Sequence, residues 1–265
     1  MLVWSRSGRL LAWSIGALVL LVIYAAPILV IAAASLANQW NGVFPTGLTL
    51  RHYANALSGE SFGQVEASLA TGAIASLIAV VVGTWAALAL RAIGPPLRLV
   101  LDLIFFMPSA VPSVSVGLGL LVAFSQPPIL LNGTTLIVIV AHFILVSAFS
   151  YGNISAGLKR LRADYEQVAA SLGARPLYCL RHVTLPLILP YIVGAFSLSL
   201  ALSMGELGAT SMVYPPGWVT MPVGIFALTD RGAVFDASAL TIVLIVVTLL
   251  VLLVLGRVSN RAAAR

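Results

Sequence analysis

The segment Gln167–Pro190 reads QVAASLGARPLYCLRHVTLPLILP and lies between two long apolar stretches of the chain. It contains arginines and residues that end helices, whereas residues 103–158 before it carry no Asp, Glu, Lys or Arg at all. A structured, charged loop of this size inside an apolar chain indicates a surface on which another molecule docks. This feature distinguishes a membrane bundle that a soluble partner moves from an ordinary helical bundle.

The composition of the whole chain indicates whether it folds in water or in a lipid bilayer. Of the 265 residues, 60% are hydrophobic and 8% are charged, whereas roughly a quarter of residues are charged in soluble domains. A water-soluble fold of this composition would leave large apolar patches exposed, but a lipid bilayer accepts such a surface. The sequence therefore predicts an all-α membrane protein.

Runs without charged residues mark the membrane spans, since a spanning helix needs about 20 apolar residues. The uncharged run 103–158 is too long for one helix, and Pro127, Pro128 and the Asn132–Gly133 pair divide it in two. The first apolar run is about twice the ~7–15 residues of a signal-peptide core, which favours a retained span over a cleaved leader. We predict a cytoplasmic N-terminus (1–10), a transmembrane domain (11–257) with six spans and a loop at 158–186, and a C-terminal tail (258–265). The predicted spans are 11–36, 67–91, 99–125, 134–157, 187–213 and 237–256.

The basic residues predict the orientation. Of the 14 Lys and Arg residues, all but Arg51 and Arg231 fall on the side that holds both termini and the loop 158–186. The positive-inside rule places that side in the cytoplasm. We thus predict a multi-pass protein of the bacterial inner (cytoplasmic) membrane. Topology and anionic lipid headgroups explain the net charge of +6, and nothing indicates nucleic acid.

The sequence offers no chemistry of its own. Its single lysine, Lys159, does not belong to a P-loop, so the chain is not expected to hold ATP phosphates. His52, His142 and His182 are far apart in sequence and lack ligand or catalytic spacing, so we expect no metal site, no bound cofactor and no enzymatic activity. The one cysteine, Cys179, carries no functional signal.

A short helix is predicted within the loop 158–186. Asp164 and Gln167 have the spacing of a capping box, which predicts a helix that begins at Tyr165. Gly173 is a plausible terminator, and Pro176 prevents continuation of the same helix.

Two interpretations of this short helix remain open. Val168, Ala169 and Leu172 fall on one face, and the alanines at 169 and 170 keep its profile thin, which suits insertion into a groove on a partner. Alternatively, the helix lies at the lipid interface and caps the bundle. Pro186 and Pro190 then predict the start of the fifth span.

The fifth span carries a polar stripe. Ser199, Ser203, Glu206 and Thr210 are spaced to lie on one helix face. A carboxylate in hydrocarbon costs about 2.5–3.5 kcal/mol, so Glu206 should face the bundle or a wet cavity. The stripe is either a solute pathway or gate, or Glu206 is a structural carboxylate held by neighbouring helices. A second stripe of small residues suits close helix packing; it consists of Gly194, Ser197, Ala201, Gly205 and Gly208.

The third span should bend. Pro108 and Pro112 free backbone carbonyls, and Ser109 and Ser113 lie beside them. Such a helix either lines a water-filled cavity or is a kinked packing helix. At the cytoplasmic end of this span, Arg98 and Asp102 are spaced for an i,i+4 contact.

The loop resembles the EAA loop of the permease subunits of binding-protein-dependent ABC importers. That pattern is EAA, three residues, Gly, and later an apolar-Leu-Pro ending; here it reads Gln167-Val168-Ala169, Gly173 and Val183–Pro186. The family's Glu is replaced by Gln167, with Glu166 adjacent, and Val168 stands in place of Ala. The resemblance implies a type I importer permease whose short helix couples to an ATPase. The implied coupling residues are Glu166, Gln167, Val168, Ala169, Ala170, Leu172 and Gly173.

The same resemblance implies the partners. They are a cytoplasmic ABC ATPase dimer that binds ATP and Mg, a second permease subunit (a paralogue or a second copy), and a periplasmic solute-binding protein, with lipid around the spans. The chain itself would form half of the solute pathway, with Ser109, Ser113, Ser199, Ser203, Glu206 and Thr210 as candidate pathway residues.

Two further stretches bear on the solute. Gly205–Thr210 (GELGAT) resembles a stretch of the molybdate, sulfate and related oxyanion permeases, whereas Tyr214–Trp218 and Ile225–Gly232 are most similar to permeases of 2-aminoethylphosphonate importers. The main alternative is a secondary transporter powered by an ion gradient, which predicts several intramembrane acids or an inverted repeat. A membrane enzyme is the third alternative.

Overall fold

The computed structural model of the chain describes residues 5–263, and most of them are helical. Two segments of π-helix, Leu21–Ala25 and Leu180–Thr184, interrupt longer helices, and a two-stranded antiparallel sheet pairs β1 (Ala37–Gln39) with β2 (Thr46–Leu48). The helices are α1 (Arg6–Leu20), α2 (Ala26–Leu36), α3 (Arg51–Ala56), α4 (Gly59–Leu90), α5 (Pro95–Ala110), α6 (Ser113–Ala123), α7 (Thr135–Arg160), α8 (Ala163–Ser171), α9 (Pro176–Cys179), α10 (Leu185–Met204), α11 (Gly208–Val213), α12 (Met221–Asp230) and α13 (Val234–Ala263).

Five helical segments among the described residues are long and apolar enough to cross a bilayer. A sixth span is obtained if the bent pair α5–α6 is counted as one. No residue of the most apolar window within Ser7–Leu36 is buried, as expected of a helix whose surface faces lipid. The helices also extend beyond the predicted spans; α4, for example, begins at Gly59.

The chain divides into two compact units. One takes in the chain up to Phe62 together with Ile225–Val243, and the other takes in Gly63–Gly224 and the chain from Leu244 onward.

In the first unit, His52 holds three segments together. Its ring nitrogens lie 2.8 Å from Asp236 Oδ1 and 3.1 Å from the carbonyl oxygen of Ala37. Asn55 also donates a hydrogen bond to Asp236, at 3.1 Å. These contacts join α3, β1 and the start of α13.

Both π-helical segments precede a proline. Leu21–Ala25 ends before Pro27, and Leu180–Thr184 ends before Pro186. Because proline lacks an N–H and its ring clashes with the preceding turn, a widened turn lets the helix continue. Helical structure already starts at Pro176, before the Pro186 at which the fifth span was predicted to begin.

The predicted third span is broken more sharply than a kink. The axes of α5 and α6 differ by 100°. Val111 is extended (φ −94°, ψ 132°), the conformation favoured before a proline, and Pro112 is the N-cap of α6. Pro108 remains inside α5. The proline pair was therefore correctly predicted to deform this segment, and Pro112 is the residue at the break.

The predicted fifth span is also broken. α10 ends at Met204 and α11 begins at Gly208, so Gly205, Glu206 and Leu207 separate two helices. The prediction of one continuous polar face from Ser199 to Thr210 is wrong, because α-helical spacing does not hold across this break.

The two short helices beyond these breaks, α6 and α11, pack closely against each other. A carbon added at Gly117 would lie 2.6 Å from the carbonyl oxygen of Ala209, and one at Gly208 would overlap Ser113. The absence of a side chain at both positions permits this approach.

The predicted packing role of the small-residue stripe holds at Gly208 but not at its other glycines. A carbon at Gly194 would meet no atom within 4 Å, and one at Gly205 would come no closer than 3.9 Å.

The core of the second unit follows α7. At one end, Tyr151 and Ile154 pack with buried residues of α4 and α10. At the other end, Ile137 and Ala141 pack with buried residues of α6 and α11. α7 thus supports both the loop that follows it and the two helix breaks.

Candidate coupling surface and solute cavity

The start of α8 differs from the predicted capping box. Arg162 occupies the N-cap without a side-chain cap, and Asp164 lies inside the first turn, where its Oδ2 accepts a hydrogen bond of 2.7 Å from Arg162. The prediction of Asp164 as the cap and Tyr165 as the first helical residue is therefore wrong. Because the Asp164 carboxylate pairs with Arg162, it does not cap the backbone.

The end of α8 matches its prediction. Gly173 has a φ of +87°, a conformation that glycine adopts without strain. Its N–H donates to the carbonyl of Ala170, and the N–H of Ala174 donates to that of Ala169. This is the Schellman arrangement, which satisfies the last carbonyls of a helix and turns the chain away.

The outer face of α8 carries large apolar side chains that are exposed. The side chains of Val168 and Leu172 are 58% and 84% exposed, and Gln167 and Ala170 are also exposed. Ala169 is half-buried. An apolar helix face that protrudes in this way is suited to docking in a groove.

A concave surface adjoins this face. It encloses about 540 Å³ and is lined by Leu172, Gly173, Arg175 and Tyr178, among others. Leu177 beside it is 75% exposed. The segment from α8 to α9 therefore presents a continuous exposed surface in which apolar side chains surround one arginine, and such a surface is suited to the docking of a partner.

Glu166 lies on the opposite, inner face of α8. Arg91, which directly follows α4, donates two hydrogen bonds to its carboxylate, at 3.0 Å and 2.8 Å. Thr184 at the base of α10 donates a third, at 2.7 Å. The hydrogen bonds from Arg91 hold the pKa of Glu166 below its ordinary value. The carboxylate is thus ionised at neutral pH and joins α8 to two spanning segments.

The candidate pathway residues lie around a second feature, a cavity of about 150 Å³. Its walls include Pro108, Ser109 and Val111 from the end of α5, and Ser203 and Glu206 from the end of α10 and the break after it. Both helix breaks therefore open onto the same space. Irregular backbone at membrane depth is tolerated where it lines such a cavity, and transporters build solute sites from discontinuous helices.

His142 of α7 closes one wall of this cavity. It is buried, and its ring nitrogens lie 2.6 Å from Ser203 Oγ and 2.7 Å from Thr210 Oγ1. Ser203 belongs to α10 and Thr210 to α11, so the imidazole bridges the break between these helices. From the sequence, His142 was predicted to be isolated from the other histidines and without a ligand or catalytic role. The available signal was a polar ring in an uncharged span, opposite a stripe of hydroxyls.

Glu206 lies in the break itself. Its Oε1 accepts a hydrogen bond of 2.7 Å from the N–H of Ala209, in the first turn of α11. The carboxylate thus has a structural contact and also lines the cavity.

The structure brings some predicted pathway residues together and separates others. Ser109, Ser203 and Glu206 line the same cavity, and Thr210 joins them through His142. Ser199 is buried elsewhere on α10, 2.8 Å from Ser150, and Ser113 packs beside Gly208 rather than facing the cavity wall.

In the N-terminal half of α5, Arg98 and Asp102 lie 3.9 Å apart, and Tyr151 of α7 also donates a hydrogen bond to Asp102. The predicted i,i+4 contact is therefore present at the limit of an ion pair.

Comparisons with known proteins agree with this architecture. The family model described as the binding-protein-dependent transport system inner membrane component matches residues 79–265. A protein of Salmonella paratyphi A with the provisional name 2-aminoethylphosphonate transport system permease protein PhnV is 55% identical over 261 residues, which cover 98% of each chain. The molybdenum transport system permease protein ModB of Mycobacterium tuberculosis is 34% identical over 205 residues, 71% of this chain and 76% of that one.

A similar fold occurs among solved structures. The crystal structure of a bacterial ABC transporter involved in the import of the acidic polysaccharide alginate matches with a TM-score of 0.76, covering 97% of this chain and 96% of that one. At 18% identity this match concerns the fold alone. With the family match and the near full-length relatives, it follows that this chain belongs to the binding-protein-dependent inner-membrane components, the multi-pass permease subunits of ABC importers.

Proposed function

We propose that the chain is the permease subunit of an ATP-driven importer for 2-aminoethylphosphonate or a related phosphonate. The observation that carries the substrate is the 55% identity, over 98% of both chains, to the Salmonella relative that bears this substrate in its name. The permease at 34% identity is named for molybdenum. Membership of the family therefore leaves the solute open, and the assignment rests on the nearer resemblance.

In this proposal, a partner subunit supplies the energy for transport. A cytoplasmic ABC ATPase dimer binds ATP and Mg and docks on α8, which offers the exposed apolar side chains of Val168 and Leu172. Both termini and α8 lie on the cytoplasmic side, where the basic residues are concentrated. A second permease subunit completes the pathway, and a periplasmic solute-binding protein delivers the solute to the opposite side.

The solute passes beside the two helix breaks. Ser109, Ser203 and Glu206 line the cavity there, and His142 holds the broken helix in position. Among the residues that line this cavity, Glu206 is the one acid, and none is a lysine or an arginine. The cavity therefore does not bind a phosphonate dianion tightly. Weak binding allows the solute to leave the cavity and continue across the membrane. The binding protein selects the solute.

Growth on a single phosphorus source tests the proposal. In a strain from which this gene is deleted, growth on 2-aminoethylphosphonate should cease and growth on inorganic phosphate should continue. The gene supplied in trans should restore both growth and uptake of labelled 2-aminoethylphosphonate. Undiminished uptake in the deletion strain would refute the substrate assignment, and loss of molybdate uptake instead would reassign it.

A further inference from the structure

Glu166 connects the short helix α8 to the membrane-spanning helices through side-chain bonds. Its carboxylate accepts two hydrogen bonds from Arg91 and one from Thr184. Among the side chains that the structure describes, no other side chain of α8 forms a hydrogen bond to a spanning segment. The remaining polar contacts of α8 are local, such as those of Asp164 with Arg162 and of Ser171 with the carbonyl of Gln167.

The geometry of this contact is specific. A guanidinium that donates two parallel hydrogen bonds to one carboxylate fixes both distance and direction. Arg91 stands at the end of α4, and Thr184 ends the π-helical segment that leads into α10. A displacement of α8 therefore pulls on α4 and on α10 through a single carboxylate.

Partial burial increases the importance of the contact. The side chains of Arg91 and Glu166 are 32% and 28% exposed, whereas Arg162 and Asp164 in the neighbouring pair are 74% and 62% exposed. Removal of one partner from the first pair leaves the other charge half-buried without a counter-charge, which does not occur in the second. The loss of one charge should therefore be more disruptive in the half-buried pair Arg91–Glu166 than in the exposed pair Arg162–Asp164.

The two faces of α8 differ in their exposure. Val168 and Leu172 point outward and are exposed, whereas Glu166 and Ala169 are half-buried. Gln167, which stands where the EAA pattern has its glutamate, is also exposed. Glu166 therefore lies on the inner face of α8, away from the docking surface.

We infer that Glu166 is a positioning residue that transmits movement of α8 to α4 and α10. This role rests on the proposed function, because it requires an ATPase that moves α8. We call the contact of Glu166 with Arg91 and Thr184 the strut. While the strut is intact, closure of the ATPase shifts both spanning segments. Without the strut, α8 moves alone.

The test compares two carboxylates on the same helix in the complete transporter. Glu166→Gln removes the charge of the strut, and Asp164→Asn removes an exposed charge two residues away. The transporter is reconstituted with its ATPase and binding protein in liposomes, and solute uptake and ATP hydrolysis are measured together. For Glu166→Gln, the solute transported per ATP hydrolysed should fall about tenfold or more, since a half-buried charge pair is broken, while the ATPase still co-purifies. Asp164→Asn should retain the wild-type ratio.

A charge exchange distinguishes a role of the Arg91–Glu166 pair in transmitting movement from a requirement for these two residues in folding. The double variant Arg91→Glu/Glu166→Arg restores an ion pair in reverse order and should recover part of the lost ratio, whereas Arg91→Glu alone should not. Thr184→Val, which keeps the shape of the side chain and removes its hydrogen bond, should lower the ratio to a smaller extent.

The outcomes distinguish this inference from the function on which it depends. Absence of ATP-dependent uptake in the wild type would overturn the proposed function. A wild-type ratio in Glu166→Gln and Thr184→Val would overturn the strut alone, and so would loss of ATPase binding in Glu166→Gln, which would place Glu166 in the docking surface.

Discussion

At the scale of single residues, His142 shows how a break in a helix is stabilised inside the bilayer. Its two ring nitrogens contact hydroxyls on either side of the Gly205–Leu207 break, at 2.6 Å and 2.7 Å. All three side chains are buried. An unsatisfied polar group in this environment is costly, so the three groups stabilise one another.

We expect His142→Ala to lower the free energy of unfolding by about 1–3 kcal/mol, since both hydroxyls lose their partner. The measurement is thermal unfolding in detergent. His182→Ala is the control, because His182 is exposed and its hydrogen bond and ring stacking are with the nearby Tyr178; its effect should remain within about 0.5 kcal/mol. Equal destabilisation by the two variants would remove His142 from this role.

Glu166 gives a prediction for pH. The hydrogen bonds from Arg91 lower the pKa of Glu166 from its ordinary 4.5, so its charged form stabilises the folded state at and above neutral pH. That contribution is lost as the pH falls through the lowered pKa. The stability difference between the wild type and Glu166→Gln should therefore be constant near neutral pH and shrink below pH 4.5. Thermal unfolding across this range measures it, and a difference that grows in acid would contradict the assignment.

Some of this site could be predicted from the sequence. Ser203 and Thr210 were predicted to share one helix face, and instead they meet at His142 across a helix break. Glu206 was predicted to face the bundle or a wet cavity, and it lines a cavity. The partner of the two hydroxyls could not be predicted, because the helix that faces them depends on tertiary packing. Arg91 was not connected with Glu166 for the same reason, since 75 positions separate them.

At the scale of elements, the breaks in the third and fifth predicted spans shape the cavity. The first break could be predicted, because Pro112 cannot continue a helix and forces Val111 into an extended conformation. The second break has no proline. Its residues, Gly205 to Leu207, can continue a helix, so helical spacing through Glu206 was a reasonable but incorrect prediction.

The close packing of α6 on α11 can be tested with two glycines of the same helix. Gly117→Ala should destabilise the protein by about 1–3 kcal/mol, because the added carbon would lie 2.6 Å from the carbonyl oxygen of Ala209. Gly119→Ala meets no atom within 4 Å and should be neutral or stabilise by up to about 1 kcal/mol. Unfolding in detergent compares them, and the reverse order would show that α6 and α11 are not packed in this way.

The end of α8 provides a second test at this scale. Gly173→Val should strain the turn by about 1–2 kcal/mol, because a β-branched residue is disfavoured at a φ of +87°. The variant should bind the ATPase more weakly and transport less. Gly173→Asn is the matched control, since asparagine tolerates this conformation. Binding by pull-down and uptake in vesicles measure the effect; wild-type behaviour of the valine variant would count against a docking role for this turn.

At the scale of the whole molecule, composition and charge were sufficient to predict the class of protein. With 60% hydrophobic residues and basic side chains concentrated on one side, the chain was predicted to be a six-span membrane protein, and its fold is that of an ABC importer permease. Helix ends were less predictable, since α4 and α13 continue past the apolar run into polar sequence. The π-helical segment Leu180–Thr184 allows a helix to pass Pro186, which the sequence suggested was a boundary.

Reconstitution tests the central claim most directly. The purified permease, placed in liposomes with its ATPase and binding protein, should import 2-aminoethylphosphonate only when ATP is supplied, and import should cease with an ATPase that binds but does not hydrolyse ATP. Import by the permease alone, driven by a proton or sodium gradient with no ATPase bound at α8, would contradict the account.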